Sequence, residues 1–313
     1  MPEELPALSH GPARRDGAAA PGGLVRVVGE IMIDTVALAT QELVTASDAS
    51  ASIVDHDGGS GANLAAWLAR EGTGVELIAC IGDDAYGDRA EQRLADAGVT
   101  MRLRRHQDLP TGRCLVIVTP DGERTMLPDP GANIGLRPDD LGREAWTAND
   151  HLHVSGYTLM RPDAHEAARA ALDAAHAIGM TVSIDASSAA PLRTWGAEDF
   201  LSVCAPGDIL FANADEAEVL TGHADAAVSA ADLADRGLVA VVKAGPHGAV
   251  LARGPVVIQA PAMASTVIDT TGAGDAFAAG FLAAWRAGGG DESALSAATR
   301  LAAQAVGRLG ARP

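Results

Sequence analysis

Residues 269–280 read DTTGAGDAFAAG, a glycine-rich turn that runs into an alanine-rich helical segment. Glycines at such a junction let backbone amides turn toward one point, and the first N–H groups of a helix lack intrahelical partners. Gly272, Ala273 and Gly274 therefore form a candidate site for a phosphate or a developing anion. Asp275 has two interpretations: a helix cap, or a carboxylate that accepts a proton from an attacking hydroxyl. The Gly-Ala-Gly step directly before Asp275 favours the second.

On either side of this turn, short β-branched and aliphatic runs alternate with longer alanine-rich stretches. We predict strands at 24–29, 75–81, 114–119, 151–154, 181–185, 209–211, 239–243 and 249–252. We predict helices at 62–70, 89–97, 164–177, 216–220, 273–286 and 293–306. Such alternation is typical of βαβ units, and fully apolar strands are typical of a parallel sheet covered by helices on both faces. The predicted fold class is α/β.

Two segments, 36–54 and 99–127, break the alternation because they have strand-like residues without a helix. The second contains Pro120-Asp121-Gly122, which favours a turn between strands. The two segments are either loop excursions or a small β-sheet that covers a cleft as a lid.

The chain has 313 residues, with 23 Lys and Arg against 41 Asp and Glu, and a formal net charge of −18. This length fits two domains or one large α/β domain. Hydrophobic residues make up 48%, which excludes a wholly disordered protein. The acidic surplus argues against a nucleic-acid partner, because phosphate contacts need clustered Lys and Arg. A small phosphate-bearing ligand stays compatible, since backbone amides and Mg²⁺ can hold it.

Neither the cysteines nor the first residues indicate export. Cys80, Cys114 and Cys204 are too few and too scattered for a disulfide framework or a zinc site, so we expect reduced thiols. No stretch approaches the roughly 18 apolar residues that a membrane helix needs. Residues 1–22 lack an apolar segment, and we expect a disordered tail there rather than a signal peptide. We therefore expect a cytoplasmic protein with no membrane partner.

A second glycine-rich segment, GGSGAN at residues 58–63, opens an alanine-rich helix. Its glycines let a ligand approach the backbone, and Asn63 offers a donor and an acceptor to a hydroxylated ligand. No well-placed G-x-G-x-x-G follows the first strand, which argues against a dehydrogenase. The chain also lacks the lysine-containing loop G-x-x-x-x-G-K-[ST].

Asn213 and Glu216 follow an apolar strand and lie three residues apart, so they share a face if a helix begins there. Oxygen ligands of this kind suit Mg²⁺, usually through water. The pair also fits a helix cap, with Asn at the N-cap position and Glu three residues later. Taken alone, the spacing favours the cap.

Together these segments resemble the PfkB, or ribokinase-like, family of carbohydrate kinases. Residues 58–65, continuing to Gly72 and Gly82, are similar to the family's first signature, and residues 269–280 to its second. Four shorter matches are GEIMID at 29–34 with the opening strand, DGERT at 121–125 with the lid hairpin, Asn213 and Glu216 with N-x-x-E, and KAGPHG at 243–248 with the nucleotide-side turn. The matches follow in family order from about residue 24 onward.

The resemblance implies a ribokinase-like three-layer αβα sandwich with a mainly parallel central sheet and a small β-sheet lid. The kinase domain would span 23–313, with lid segments at about 36–56 and 99–127. The implied reaction transfers the γ-phosphoryl group of MgATP to a hydroxyl of a small carbohydrate, which depends on positioning and charge stabilisation. The resemblance also implies a homodimer formed through the lid.

The resemblance further assigns roles on the sugar side. Asp275 would be the general base, and the amides of Gly272, Ala273 and Gly274 would face the charge on the transferred phosphoryl group. The residues implied in binding sugar hydroxyls are Asp34, Gly59 and Asn63.

On the nucleotide side, Asn213 and Glu216 would organise Mg²⁺ through water. The residues implied to lie against ATP are Asn213, Lys243, Gly245 and Gly248. Asp269 resembles a residue at the K⁺ site of some members.

Several positions bear on the substrate. Met32 and the stretch 155–157 lack polar sugar contacts of ribokinases, which argues against strict ribose specificity. Arg102, Arg104 and Arg105 in the expected lid are either a solvated strand edge or a contact for an anionic sugar. His151 and His153 are expected to be packing residues. A nucleoside kinase of the same family and a regulator without turnover remain alternatives.

Overall fold

The fold is taken from a computed structural model, which describes residues 22–121 and 123–313. The expected tail, apart from Gly22, lies outside the described residues, and so does Gly122 of the expected hairpin. The strands are β1 Val25–Val28, β2 Met32–Ala39, β3 Ala51–Gly58, β4 Val75–Gly82, β5 Thr100–His106, β6 Gly112–Val118, β7 Arg124–Asp129, β8 His151–Ser155, β9 Thr181–Asp185, β10 Ile209–Asn213, β11 Val239–Lys243, β12 Ala249–Arg253 and β13 Val256–Ala260. The α-helices are α1 Ser60–Arg70, α2 Ala85–Asp96, α3 Gly156–Met160, α4 His165–Ala177, α5 Ala189–Trp195, α6 Ala197–Leu201, α7 Ala214–Thr221, α8 Ala226–Asp235, α9 Ala273–Arg286 and α10 Asp291–Val306.

The larger sheet runs in the order β13-β12-β11-β10-β9-β8-β1-β4-β5. The strands from β11 to β5 are parallel, and β12 pairs antiparallel with both β11 and β13. Parallel neighbours require crossovers, which the intervening helices supply. The mainly parallel sheet predicted from the apolar strands is confirmed.

Helices cover both faces of this sheet, which explains why its strands are apolar throughout. Val27 of β1 belongs to the buried cluster that includes residues of α1, α9 and α10, whereas Val28 belongs to the cluster that includes residues of α4, α7 and α8. Successive strand residues thus point into two separate cores. The three-layer αβα architecture is confirmed. No helix in the described part of the chain is long and apolar enough to cross a membrane.

A separate four-stranded sheet runs in the order β3-β2-β6-β7. The expected lid segments differ from it at one strand: Thr100–His106 belongs to the large sheet, where it pairs parallel with β4. The reason is local. After α2 the chain turns at Gly98 and returns beside β4, which completes a βαβ unit. The small sheet instead takes up β2, which begins before the expected first segment.

The two histidines of β8 are buried in the core, as expected. His151 and His153 both hydrogen-bond the Ser183 hydroxyl at 2.8 Å. Burial lowers the pKa of His153 to about 4, so its imidazole stays neutral. The three cysteines are free thiols.

Candidate active site

Polar residues gather at the carboxyl ends of the parallel strands. Asp185, Asn213 and Lys243 are the last residues of β9, β10 and β11. The start of α1 and the start of α9 face the same edge. Ligands of α/β sheets bind at this edge.

The loop before α9 contains a glycine with left-handed backbone geometry. Gly272 has φ of 73°, and a Cβ there would lie 2.6 Å from the Ala311 carbonyl oxygen, so only glycine fits. The Ala273 N–H donates to the Thr270 carbonyl at 3.3 Å. Among the described residues, nothing accepts from the N–H groups of Gly272 and Gly274. These two amides, more than that of Ala273, are available to an anion.

Asp275 lies in the first turn of α9 and contacts the other glycine-rich segment. Its Oδ1 accepts from the Ser60 hydroxyl at 2.7 Å, and its Oδ2 accepts from Asn63 Nδ2 at 2.9 Å. Burial raises the pKa of Asp275 to about 7, although these two hydrogen bonds lower it. A carboxylate with a pKa near neutrality is suited to accept a proton from a hydroxyl.

The turn before α1 brings Asp34 and Glu30 to the same place. Gly59 has φ of 91°, and a Cβ there would lie 2.5 Å from the Glu30 carbonyl oxygen. A Cβ on Gly58 would lie 2.4 Å from Asp34 Oδ2. Burial raises the pKa of Asp34 to about 6, and no hydrogen bond from the described residues reaches its carboxylate. Within the described part of the chain, the Asp34 carboxylate is thus an acceptor without a donor, next to Gly58.

The buried Glu30 side chain hydrogen-bonds the turn before α1. Its carboxyl group accepts from the Ser60 N–H at 3.0 Å, the Ser155 hydroxyl at 3.2 Å and the Thr158 hydroxyl at 3.0 Å. Burial raises the pKa of Glu30. Because Ser60 also donates to Asp275, Glu30 positions the contact between the two glycine-rich segments.

Lys243, expected near the nucleotide, reaches the loop before α9. Its Nζ lies 2.9 Å from Asp185 Oδ2, and a Cβ on Gly274 would lie 3.4 Å from the same nitrogen. Burial lowers the pKa of Lys243, but Asp185 and Glu216 outweigh burial and raise it. The ammonium group therefore stays charged beside the amides of the loop.

Asn213 and Glu216 form the helix cap that their spacing favours. Asn213 Oδ1 accepts from the Glu216 N–H at 2.9 Å, and Glu216 Oε2 accepts from the Asn213 N–H at 2.8 Å. The Glu216 side chain is buried, which raises its pKa. Among the described residues, no group of three or more His, Cys, Asp and Glu is arranged to hold a metal ion. A cation here would need water and a ligand to complete its shell.

The turn after β11 leaves its backbone accessible. Gly245 has φ of 55°, and a Cβ there would meet nothing within 4 Å. Gly248 has φ of 91° and packs against Ala260 and Pro261. Gly248 therefore shapes the turn, whereas Gly245 is the glycine that a ligand can approach.

Asp269 connects the loop to the small sheet. Its Oδ1 accepts from the Thr271 N–H at 2.9 Å and lies 3.1 Å from Arg124 Nη1 of β7, and its Oδ2 accepts from the Gly310 N–H at 3.1 Å. Burial raises the pKa of Asp269, but these contacts outweigh it and lower the pKa. The carboxylate is well supplied with protein donors.

Residues 23–313 of the chain match the family model of the pfkB family carbohydrate kinases. The chain belongs to the PfkB family. An ATP-dependent ribose-1-phosphate kinase of Halopiger xanaduensis is 36% identical over 82% of each chain. A fructokinase of Klebsiella pneumoniae is 31% identical over 92% of each chain. The crystal structure of adenosine kinase from Sinorhizobium meliloti is similar with a TM-score of 0.83 at 29% identity, covering 93% of this chain and 96% of that one.

The predicted fold, family and enzyme class are therefore confirmed. This PfkB-family protein is a kinase with a ribokinase-like fold that transfers a phosphoryl group to a hydroxyl of a sugar or nucleoside.

The basic run of this PfkB-family kinase lies away from the small sheet. Arg102, Arg104 and Arg105 are on the edge strand β5 and face acidic side chains; Arg104 Nη1, for example, lies 3.2 Å from Asp140 Oδ1. The solvated strand edge is the correct interpretation of the run.

Four site residues were missed from the sequence: Glu30, Ser60, Asp185 and Arg312. Ser60 and Glu30 lie inside quoted segments, so proximity to Asn63 and Asp34 was the available signal. Asp185 ends a predicted strand, which places it at the ligand edge. No pattern in the sequence points to Arg312, which contacts Gly58 and Asn63 from far along the chain.

Proposed function

We propose that this kinase uses MgATP to phosphorylate a hydroxyl of a small carbohydrate, with Asp275 as the general base. The observation that carries the proposal is the position of the Asp275 carboxylate. It is held between Ser60 and Asn63 at 2.7 and 2.9 Å, and burial raises its pKa to about 7. At that pKa the group is partly ionised at neutral pH, so it can accept the hydroxyl proton.

The amides of Gly272 and Gly274 and the ammonium group of Lys243 would face the transferred phosphoryl group. Their N–H donors and positive charge are fixed by the fold before a ligand binds, which favours charge developing in the transition state. Asp34, Gly59 and Asn63 would bind the other sugar hydroxyls, since a carboxylate makes charge-assisted hydrogen bonds with them.

Asn213 and Glu216 would hold Mg²⁺ and its waters, and Gly245 and Gly248 would shape the backbone turn beside ATP. Oxygen ligands of this type fit Mg²⁺. Because both side chains are already hydrogen-bonded in the helix cap, they would contact Mg²⁺ through water molecules. Bound Mg²⁺ neutralises charge on the phosphate oxygens. For Asp269, the donors already around its carboxylate argue for Arg124 as its counter-charge; K⁺ stays a prediction, checked by comparing turnover in KCl and NaCl.

The small sheet would act as the lid and as a dimer contact. Asp34 and Arg124 lie on one face of it, and Ile53, Leu115 and Leu127 lie on the opposite face. Those three apolar side chains are exposed, as in surfaces that pair with a second copy. The cytoplasm remains the expected location.

A phosphorylated sugar is a second candidate substrate. A small pocket beside Glu30 is lined by Met32, Asn133, Tyr157 and Arg161. The structure gives the Arg161 guanidinium no ion pair within the described residues, so it is available to an anionic group. The ribose-1-phosphate kinase relative acts, by its name, on such a sugar.

The decisive experiment measures ADP release over a panel of free sugars, sugar acids, sugar phosphates and nucleosides. We expect turnover with a sugar or sugar phosphate, dependent on Asp275. A preference for nucleosides would favour the nucleoside kinase instead. ADP release with no member of the panel, together with binding of the same ligands, would identify a regulator.

A further inference from the structure

Arg312 connects the two ends of the glycine-rich turn before α1. Its Nη2 donates to the Gly58 carbonyl at 2.7 Å, and its Nε donates to Asn63 Oδ1 at 3.2 Å. Because Asn63 Nδ2 donates to Asp275, the guanidinium also fixes which way the Asn63 amide faces. Two of the three guanidinium nitrogens are thus used in holding the turn.

The third nitrogen, Nη1, is buried and makes no hydrogen bond with any residue that the structure describes. Burial lowers the pKa of Arg312 to about 10, while Asp57 and Asp34 oppose this effect, so the side chain remains charged at neutral pH. A buried charged donor without an acceptor is costly. A ligand oxygen would satisfy it.

Asp34 is an acceptor near Arg312 that has no hydrogen-bond donor among the described residues. Arg312 is the largest electrostatic influence that lowers the pKa of Asp34 against burial. Both groups also meet at Gly58: its carbonyl accepts from Arg312, and a Cβ on it would collide with Asp34 Oδ2. Arg312 Nη1 and the Asp34 carboxylate therefore both lack a hydrogen-bond partner among the described residues, and both side chains lie next to Gly58.

We propose that Arg312 is a specificity-determining residue that binds one sugar hydroxyl jointly with Asp34. The hydroxyl donates its hydrogen to the Asp34 carboxylate and accepts a hydrogen bond from Arg312 Nη1, which uses both functions of the group. The inference rests on the proposed function, because it concerns the same sugar site.

Such a pair rejects a substrate that lacks the hydroxyl. A deoxy analogue would leave the Asp34 carboxylate and Arg312 Nη1 without the hydrogen bonds that the hydroxyl supplies, and sites of this type discriminate by about 10²-fold or more. A methyl or hydrogen cannot replace either contact. The predicted substrate class is thus a sugar or sugar derivative that carries this hydroxyl, as opposed to its deoxy analogue.

The test compares kcat/KM for the best substrate of the panel with kcat/KM for each of its monodeoxy analogues. The variants are Arg312→Lys, Arg312→Gln and the control Arg308→Ala, since Arg308 is exposed and its ring contact is with Trp67, outside the site. Wild type and Arg308→Ala should reject one deoxy analogue by about 10²-fold or more. The Arg312 variants should reduce that one ratio by at least about tenfold and leave the ratios for the other positions unchanged.

An equal loss of kcat/KM for the parent sugar and all its analogues would overturn the proposal, because it would reduce Arg312 to a positioning residue for Asn63. Calorimetric binding of the same sugars to Asp275→Asn gives a second readout that does not need turnover. If the sugars bind with a discrimination that depends on Arg312 but wild type shows no turnover, only the kinase proposal is rejected. Turnover without such discrimination would reject the Arg312 proposal alone.

Discussion

The Ser60 hydroxyl donates to Asp275 Oδ1 at 2.7 Å across 215 residues of sequence. This contact joins the helix α1 to the helix α9, each beginning at a glycine with positive φ. It also sets the proton affinity of the carboxylate: burial raises the pKa to about 7, and the Ser60 and Asn63 hydrogen bonds limit the rise. The pKa of Asp275 therefore depends on contacts from both glycine-rich segments.

Asp275→Asn should lower kcat by about 10²–10⁴-fold while the protein stays folded, because the amide cannot accept the hydroxyl proton. The same change should stabilise the fold at high pH. An aspartate titrates near 3.9 in an unfolded chain, so with a folded pKa of about 7 the folded state loses stability as pH rises from about 4 through 7. Thermal melts should show a larger gain over wild type at pH 8 than at pH 5. Near-normal kcat would instead assign Asp275 to helix capping.

The pH dependence of kcat/KM should report the ionisation of Asp275. We expect kcat/KM to rise with pH and level off above about 7, where Asp275 is ionised. Ser60→Ala removes a hydrogen bond to the carboxylate, so it should shift the acidic limb to higher pH. Ser265→Ala is the matched control, because its hydroxyl donates to the Ala303 carbonyl on the surface. Coincident limbs in wild type and Ser60→Ala would contradict the coupling.

How far the sequence predicts this molecule depends on the range of each interaction. Alternation of apolar and alanine-rich runs correctly predicts most of the large sheet, because burial on both faces leaves a local pattern in each strand. Thr100–His106 was assigned to the wrong sheet because edge strands of either sheet share the same half-polar composition. The strand pairs with β4 because α2 returns the chain to that side of the large sheet. The local sequence pattern does not specify this return.

The same limit applies to the site. Asp275, Asn63 and Asp34 were named because their segments resemble family signatures, whereas their mutual contacts are set by tertiary packing. Arg312 contacts Asn63 across 249 residues, and nothing local marks it. The pairing of Lys243 with Asp185 depends on strand order, since their strands flank β10.

Arg124→Ala tests the contact between the small sheet and the loop before α9. Arg124 Nη1 lies 3.1 Å from both Asp269 Oδ1 and the Thr271 hydroxyl, directly before Gly272. Its loss should raise KM or lower kcat by roughly tenfold, while stability changes by about 0–1 kcal/mol, as for exposed ion pairs. Arg104→Ala is the control: it removes a similarly exposed arginine whose Asp140 partner is outside the site. Equal kinetic constants for both variants would show that the contact between the small sheet and the loop does not affect turnover.

Ile53→Asp tests the dimer contact. Ile53 is 66% exposed on the face of the small sheet opposite Asp34. If two copies pair through that face, a buried charge without a partner should convert the dimer to monomer in light scattering after gel filtration. Val256→Asp introduces the same change on the edge strand β13 at 52% exposure and should leave the dimer intact. A monomeric wild type would reject this interface.

Glu216→Gln separates the two roles of the Asn213–Glu216 pair. Glutamine keeps one acceptor for the cap but loses the charge, so stability should fall by no more than about 1–2 kcal/mol. If Glu216 orders the waters of Mg²⁺, the Mg²⁺ concentration for half-maximal turnover should rise by about tenfold or more. Asp225→Asn is the control, because Asp225 caps α8 through the Ala227 and Val228 N–H groups far from β10. A lower melting temperature with unchanged Mg²⁺ dependence would leave Glu216 a capping residue, since a cap is indifferent to the metal.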